Sequence, residues 1–183
     1  AMYPVEVTYN HFPVTSPPWE AALSGVRTVL RKTESGDILI FMPGAYEIRK
    51  TIEQIKSASL GESLAVMPLY GDLSFELQQK AMETTQHRKI IVATNIAETS
   101  LTIPGIRHVI DSGLARVNRF DPAKGFNMLY TESISQASAD QRKGRAGREA
   151  EGLCVRMWSQ ASHNDRARLT EPEISRVDLA DII

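Results

Sequence analysis

The residues best suited to chemistry lie in one run of eight, QRKGRAGR at 141–148. On a helix, positions i, i+4 and i+7 share one face, which would align Gln141, Arg145 and Arg148. Guanidinium groups are permanently charged, forked donors that suit a polyphosphate, and a glutamine beside them could orient a water or a phosphate oxygen. The alternative is a solvated basic face at a frayed helix end, which is the more common outcome for four cations in eight residues.

The helix predicted here, from about Ser138 to Arg148, would contain two glycines, Gly144 and Gly147. Each glycine inside a helix costs about 1 kcal/mol relative to alanine. We therefore expect backbone or ligand atoms to approach this segment closely.

A second polar set follows the apolar run 90–93, which is typical of a strand buried on both faces. Ligands in open α/β sheets sit beyond the carboxyl ends of the strands, so contacts are expected from the residues after this strand. Hydroxyl and amide groups there suit phosphate and sugar oxygens, and they belong to Thr94, Asn95, Thr99, Ser100 and Thr102. A helix cap followed by a turn would use the same residue types.

Two further segments could contact nucleic acid. Gly44, in Met42-Pro43-Gly44, follows another apolar run and precedes a helical pattern, so its backbone amide could hold a phosphate, or Pro-Gly could simply turn the strand. A hairpin predicted at 115–130 carries Arg116 and Arg119, which would form either a basic wedge for nucleic acid or a solvated edge.

Composition limits the class of function. The 183 residues contain 21 Lys and Arg against 22 Asp and Glu, so binding of nucleic acid by overall charge is excluded and phosphate contacts must be local. No Gly-Lys, Gly-x-Gly or Asp-Glu pair occurs, so the phosphate-cradling loop, the dinucleotide fingerprint and a magnesium-holding acid pair are missing. This chain would therefore supply only part of a nucleotide site.

Single residue types set the expected context. The one cysteine, Cys154, excludes an internal disulfide and favours a reducing, cytoplasmic location, where it would be an inert core thiol. The four histidines are far apart in sequence, so no metal site is expected, and His108 is interpreted as a packed core residue. No apolar run approaches ~18 residues, so no membrane partner is expected.

Alternating strand and helix patterns must position these polar segments. Apolar runs typical of buried strands occur at 38–42, 64–70, 90–93, 108–110 and 153–158, and helical patterns occur at about 16–32, 44–55, 74–84 and 138–148. Strands alternating with helices predict an α/β fold, a parallel sheet with helices on both faces. Proline and glycine at 121–125 predict the turn of a projecting β-hairpin.

These segments resemble the DEAH-box helicases of superfamily two. TNIAETSLTI at 94–103 and QRKGRAGR at 141–148 look like their motifs V and VI, and the run 40–48 resembles motif IV. The match continues in order from about residue 36 to the end of the chain. The segment 111–122 is most similar to the bacterial HrpB type, with the HrpA type close behind.

The resemblance implies a RecA-like fold and a division of the chain into three parts. Residues 1–12 would be a linker or lead-in strand, and residues 13–160 would be the second of two RecA-like domains. Residues 161–183 would begin a winged-helix region. The hairpin at 115–130 would project and help to part a duplex.

The resemblance further implies that Gln141, Arg145 and Arg148 are catalytic and face the γ-phosphate of ATP or another NTP. That nucleotide and its Mg²⁺ would be held mainly by the first RecA-like domain, which this chain lacks. Relatives stack an aromatic ring on adenine where this chain has Met82, and many eukaryotic relatives have an acidic ribose ligand where it has Pro104. We therefore expect loose nucleotide selectivity.

The implied nucleic-acid contacts are to the backbone of RNA, and DNA stays open because base edges are not read. They would come from Gly44, Thr94, Asn95, Arg116 and Arg119, and Thr102 would couple the nucleotide to the strand. The whole protein would be a 3′-to-5′ ATP-dependent RNA helicase in which this chain alone is inactive. Its partners would be RNA and the other domains of the same parent chain. The alternative is a non-catalytic RecA-like module that binds RNA or protein.

Overall fold

Strands and helices alternate along the chain in this computed structural model, which describes residues 2–11, 13–99 and 101–171. The strands are β1 Val5–Asn10, β2 Asp37–Phe41, β3 Leu64–Leu69, β4 Arg88–Ala93, β5 Ile106–Asp111, β6 Leu114–Asp121, β7 Phe126–Ser133 and β8 Gly152–Ser159. The helices are α1 Pro18–Lys32, α2 Ala45–Ser57, α3 Phe75–Met82, α4 Ile96–Thr99, α5 Gln136–Gly144 and α6 Gln160–Asp165.

One parallel sheet contains six of these strands in the order β1-β8-β5-β2-β4-β3. Side chains of β2 alternate between its faces: Ile38 and Ile40 pack in the cluster that contains α1 and α2, whereas Leu39 and Phe41 pack in the opposite cluster. All four are buried, which is why their run is continuously apolar. The predicted α/β fold is confirmed.

The beginning of the chain, expected to be a linker or lead-in strand, contains the edge strand β1. Its pairing with β8 is parallel and starts with Val5 opposite Gly152. Just before β1, the amide of Tyr3 donates to the carbonyl of Gly147 (2.8 Å). The first residues of the chain therefore contact the segment that follows α5.

The helix predicted over 138–148 is shorter than expected, because α5 ends at Gly144 and residues 145–149 form a turn. A Cβ on Gly147 would lie 2.6 Å from the carbonyl oxygen of Tyr3, so the predicted close approach of backbone occurs at this glycine. At Gly144 a Cβ would make only ordinary van der Waals contact. The crossing of the N-terminal backbone thus accompanies the end of regular helix.

Other helix boundaries differ from prediction by a few residues. The helical pattern predicted from about residue 16 begins at Pro18 in the structure, with Pro17 in the cap position of α1. Ser74 caps α3 as expected, but the helix ends at Met82 instead of about residue 84. The Nζ of the buried Lys89 donates hydrogen bonds to the carbonyl oxygens of the residues on either side of Met82 (2.8 and 3.0 Å). These bonds cap the C-terminal end of α3.

The predicted β-hairpin is confirmed as the antiparallel pair β6 and β7, which forms a sheet of its own. Its base is closed by the amide of Ile134, which donates to the carbonyl of Gly113 (2.9 Å). Arg166, which follows α6, donates from Nη1 to the carbonyl oxygens of both residues (2.9 Å each). These hydrogen bonds anchor the base of the hairpin to the domain.

The stretch after α6 contacts the start of α5. The first two amides of α5 donate to the carbonyl oxygens of Ala167 (2.7 Å) and Arg168 (3.0 Å). These amides belong to the group that a helix leaves without acceptors of its own. Of the region expected to begin a winged helix, α6 and the stretch to residue 171 are described, whereas residues 172–183 lie outside the described part.

His108 in β5 is held as a neutral imidazole. Its Nδ1 accepts the amide of Leu153 (3.2 Å), so the ring proton lies on Nε2, which donates to the carbonyl of Ser35 (2.9 Å). Burial lowers the pKa of His108 below its ordinary value of 6.5; the contact with Ser35 opposes this shift, and the nearby charges of Arg88 and Arg107 add to it. The packed role predicted for this residue is confirmed.

We predict that the free energy of unfolding falls as the pH drops below about 6.5, since the unfolded chain then binds a proton on His108 that the folded chain does not. His108→Gln keeps a donor and an acceptor but cannot titrate. Its urea midpoint should therefore fall less than that of the wild type between about pH 7.5 and 5.5. The residual decrease includes His163, whose pKa burial also lowers.

The control is His87→Gln at an exposed histidine, which should retain the wild-type pH dependence. An unchanged pH dependence in His108→Gln would contradict the assignment of a neutral, buried imidazole.

Candidate nucleotide and nucleic-acid site

Arg145 lies directly after α5 with one side of its guanidinium group held and the other side free. Its Nε donates to the carbonyl of Glu98 (2.7 Å), whereas its Nη1 is buried and has no acceptor among the described residues. Burial lowers the pKa of Arg145, and repulsion from Arg148 adds to this shift, but the group stays protonated. Because a buried donor without a partner costs about 1–3 kcal/mol, this position suits an anionic acceptor.

Arg148 is exposed and donates from Nη1 to the hydroxyl of Thr102 (2.8 Å). Arg145, Arg148 and Thr102 line the same small depression. Within residues 2–11, 13–99 and 101–171, no carboxylate forms an ion pair with either arginine. The two cations are thus held by neutral oxygens and keep their charge available.

The predicted alignment of three residues on one helical face is only partly correct. Gln141 is exposed on α5, and Arg145 continues with helical dihedral angles (φ −66°, ψ −26°), so these two keep helical spacing. Arg148 lies in the turn, and the turn rather than the helix brings it beside Arg145. Met82 is half-buried against the apolar cluster on the same side of the sheet and does not line the depression.

A buried ion-pair network, which was not predicted from the sequence, shares Glu98 with Arg145. Arg142 is fully buried; its Nε donates to Oε1 of Glu98 (2.9 Å), and its Nη1 donates to Oδ1 of Asp111 (2.8 Å). Its Nη2 donates to the carbonyl of Leu114 (3.1 Å), and its guanidinium carbon lies 4.7 Å from the ring centroid of Phe41. Burial alone would lower the pKa of Arg142, but the two carboxylates raise it.

One signal in the sequence could have revealed this network. Ala139, Arg142 and Ala146 recur at i, i+3 and i+7, and all three are buried. A cation on the inward stripe of a helix requires partners, because a charge is almost never fully buried without them. The pattern could not have named Glu98 and Asp111 as those partners.

The residues predicted to contact RNA lie on the other side of this network. Asn95, Arg116 and Arg119 line a cavity of about 450 Å³ bordered by the hairpin, α4 and α5. Thr94 and Gly44 follow the adjacent strands β4 and β2. The parallel sheet therefore brings Gly44, Thr94 and Asn95 to one edge, as expected from their positions after strands. The hairpin places Arg116 and Arg119 beside that edge.

Both hairpin arginines are paired, so the structure contradicts a free basic wedge. Nη2 of Arg116 donates to Oε1 of Glu47 (2.8 Å) and passes so close to Gly44 that a Cβ there would clash with it. Arg119 makes a forked contact with Glu132, in which its Nη2 donates over 2.7 Å. Contact of either arginine with RNA remains a prediction, and it now requires exchange of these carboxylate partners.

The structure also bears on the expectations for Cys154, for metal sites and for membrane-spanning helices. Cys154 is buried, and burial raises the pKa of its thiol to about 12, which fits an inert core residue. The described residues contain no group of three or more His, Cys, Asp or Glu side chains placed to hold a metal ion. Among these residues, no helix is long and apolar enough to cross a membrane.

The chain matches a known class of domain. Residues 21–150 match the model of the helicase conserved C-terminal domain, and the chain belongs to this family. Within it, the chain is 43% identical over 184 residues to the ATP-dependent RNA helicase HrpA homolog of Haemophilus influenzae. It is 42% identical over 183 residues to the ATP-dependent RNA helicase HrpB of Escherichia coli.

Solved structures give the same result. The crystal structure of the E. coli DExH-box NTPase HrpB matches with a TM-score of 0.89 at 41% identity, over 99% of this chain and 22% of that chain. The predicted RecA-like fold and the resemblance to HrpA- and HrpB-type DEAH helicases are confirmed. The chain covers 14% of the H. influenzae relative and 22% of E. coli HrpB, although 99% of this chain is matched in each.

We predict that Arg142→Met lowers the free energy of unfolding of this chain by about 3–5 kcal/mol, since it leaves Asp111 as a buried, unpaired charge. Lys143→Met is the matched control, because it also removes one cation from α5 but breaks no described ion pair. Its effect should stay within about 1 kcal/mol. Equal losses in urea unfolding of the two variants would show that the network does not hold α5 in place.

Proposed function

We propose that this chain is the second RecA-like domain of an ATP-dependent RNA helicase and completes an NTP site whose other half lies on a first RecA-like domain. The observation that carries the proposal is the buried Nη1 of Arg145, which has no acceptor among the described residues and lies beside the exposed Arg148. Relatives at 42–43% identity are named ATP-dependent RNA helicases. The chain itself lacks a Gly-Lys phosphate loop, which fits a divided site.

The proposed chemistry depends on two cations delivered to a terminal phosphate. Closure of the cleft between the two domains would bring Arg145 and Arg148 to the γ-phosphate of ATP or another NTP, where charge develops during transfer. Gln141, on the same side of α5 as Arg145, would orient the attacking water. An arginine of this kind can contribute about 10³–10⁵ in rate. The Mg²⁺ that accompanies the nucleotide would be held mainly by the first domain.

The adenine and ribose would receive little from this half of the site. Met82 offers a flexible thioether in place of an aromatic ring, and Pro104 offers no acid for the ribose. Thr102, bonded to Arg148, would connect the nucleotide to the strand-binding edge. These features support loose nucleotide selectivity.

Strand binding would use the edge formed by Gly44, Thr94 and Asn95. Small and hydroxyl or amide residues there can contact phosphate and sugar, and the contacts proposed here are to the strand backbone. RNA is therefore proposed from the relatives and not from base contacts. Unwinding would proceed 3′ to 5′, with the hairpin parting the duplex. Its outer strand exposes the apolar residues Phe126 and Leu129.

We place the domain at residues 13–160, with residues 1–12 as lead-in and residues 161–183 as the start of a winged-helix region. The partners would be RNA, the first RecA-like domain and the winged-helix region of the same parent protein. The buried, unpaired Cys154 supports a reducing, cytoplasmic location.

We predict that Arg148→Ala in the full-length protein that contains this chain lowers RNA-stimulated NTP hydrolysis at least ~100-fold, because transition-state charge is left uncompensated. The Kd for single-stranded RNA should change less than about threefold, since Arg148 touches the nucleotide and not the strand. Arg31→Ala, at an exposed arginine of α1, is the matched control and should leave both quantities unchanged. Full hydrolysis in Arg148→Ala would refute the helicase proposal in favour of a passive binding module.

We also predict that the isolated 183-residue chain releases no phosphate above the no-protein control and binds nucleotides weakly, because half of the site is missing. The measurement is phosphate release with saturating RNA and either ATP or GTP. Turnover that is abolished by Arg148→Ala in the isolated chain would contradict the division of the site between two domains.

A further inference from the structure

Glu98 lies between the two candidate surfaces and contacts both. Its side chain lines the cavity that also contains Asn95, and its backbone carbonyl holds Nε of Arg145 at 2.7 Å. It belongs to the short helix α4, which begins directly after Asn95. No other described residue of α4 joins the strand-side cavity to Arg145 through hydrogen bonds of its own.

The carboxylate of Glu98 fastens α4 to α5. Its Oε1 accepts the hydroxyl of Ser138 (2.5 Å) and Nε of Arg142 (2.9 Å), which are one helical turn apart. The two helices lie in contact with each other. Charge-assisted hydrogen bonds in a partly buried position are stronger and more directional than neutral ones.

Burial of Arg142 does not depend on Glu98 alone. The side chain of Glu98 is 16% exposed, whereas that of Asp111 is 0% exposed and pairs with the same guanidinium group. Arg142 would therefore keep a buried carboxylate, and its bond to the Leu114 carbonyl, if Glu98 were changed. The contact between Glu98 and Arg142 is thus not the sole compensation of this buried charge, and it also joins α4 to α5.

Regular helix ends at Gly144, so the orientation of the Arg145 side chain depends on contacts with residues outside α5. The carbonyl of Glu98 is the acceptor that the structure gives to its side chain, while Nη1 has none among the described residues. A shift of Glu98 would therefore redirect the free side of the guanidinium group. The amide of Glu98 in turn donates to the carbonyl of Asn95 (3.0 Å), so displacement of Asn95 reaches Glu98 through one hydrogen bond.

We propose that Glu98 is a positioning residue that couples strand binding at Asn95 to the orientation of Arg145. Binding of RNA against the cavity moves or fixes α4, and α4 carries the carbonyl that aims Arg145. The carboxylate of Glu98 keeps α4 and α5 in one relative placement while this happens. This inference rests on the proposed function and deepens it by assigning the residue through which RNA stimulates hydrolysis.

The test compares NTP hydrolysis by full-length variants with and without saturating RNA. Glu98→Ala should lower the ratio of RNA-stimulated to RNA-free kcat about tenfold, within the range typical of coupling between two sites. The KM for NTP and the Kd for RNA should each stay within about threefold, because Glu98 is assigned hydrogen bonds to protein residues and none to either ligand. Glu98→Gln, which keeps the acceptor oxygen but loses its charge, should restore part of the ratio.

Asp140→Ala is the matched control. Asp140 is a carboxylate on α5 that pairs with the buried Arg156 (3.1 Å), but it contacts neither Asn95 nor Arg145. Its loss should reduce thermal stability and leave the stimulation ratio within about twofold of the wild type. A purely structural role for Glu98 would likewise reduce the amount of active protein and scale both rates equally.

Two results would overturn the proposal: an unchanged ratio in both Glu98 variants, or an equal loss of the ratio in Asp140→Ala. If Glu98→Ala does not fold, the ratio in Glu98→Gln decides, and a wild-type ratio there counts against the coupling. Failure of the proposed function gives a different pattern, because Arg148→Ala would then retain hydrolysis. Loss of hydrolysis in Arg148→Ala with intact ratios in the Glu98 variants would refute only the coupling.

Discussion

One buried positive charge organises this domain. The guanidinium group of Arg142 has no solvent exposure and lies between the carboxylates of Asp111 and Glu98. Without them it would cost several kcal/mol, so α5 is stable only where this side chain reaches the carboxyl end of β5. That requirement fixes how α5 lies against the sheet, and therefore where the chain presents the two arginines that follow Gly144.

The next two arginines, unlike Arg142, are hydrogen-bonded to uncharged groups. Arg145 and Arg148 are held by a carbonyl and a hydroxyl, neutral acceptors that orient a guanidinium group without cancelling its charge. A compensated arginine and two uncompensated ones thus share seven consecutive residues. Fixed backbone combined with available charge is what stabilisation of a developing anion requires, since no reorganisation is then needed during the reaction.

The central strands of the sheet were predictable from sequence because they contain continuous apolar runs, as in Ile38–Phe41. The helical spacing between these runs leaves few other architectures. The end of α5 was not predictable, since it depends on the backbone of Tyr3 from the opposite end of the chain. The partners of Arg142 were hidden for a similar reason: periodicity shows which side of a helix faces inward but not which carboxylates meet it. The pairing of Arg116 with Glu47 likewise joins separate elements.

The first and the last described residues of the chain contact opposite ends of the α5 segment. Tyr3 holds the turn beyond the last residue of α5, and Ala167 and Arg168 cover its first amides. Removing the residues before β1 or those after α6 would consequently remove these contacts with the arginine-bearing segment. The six strands of the sheet would remain. A shortened version could look well folded by spectroscopy and yet be a poor representative of the natural domain.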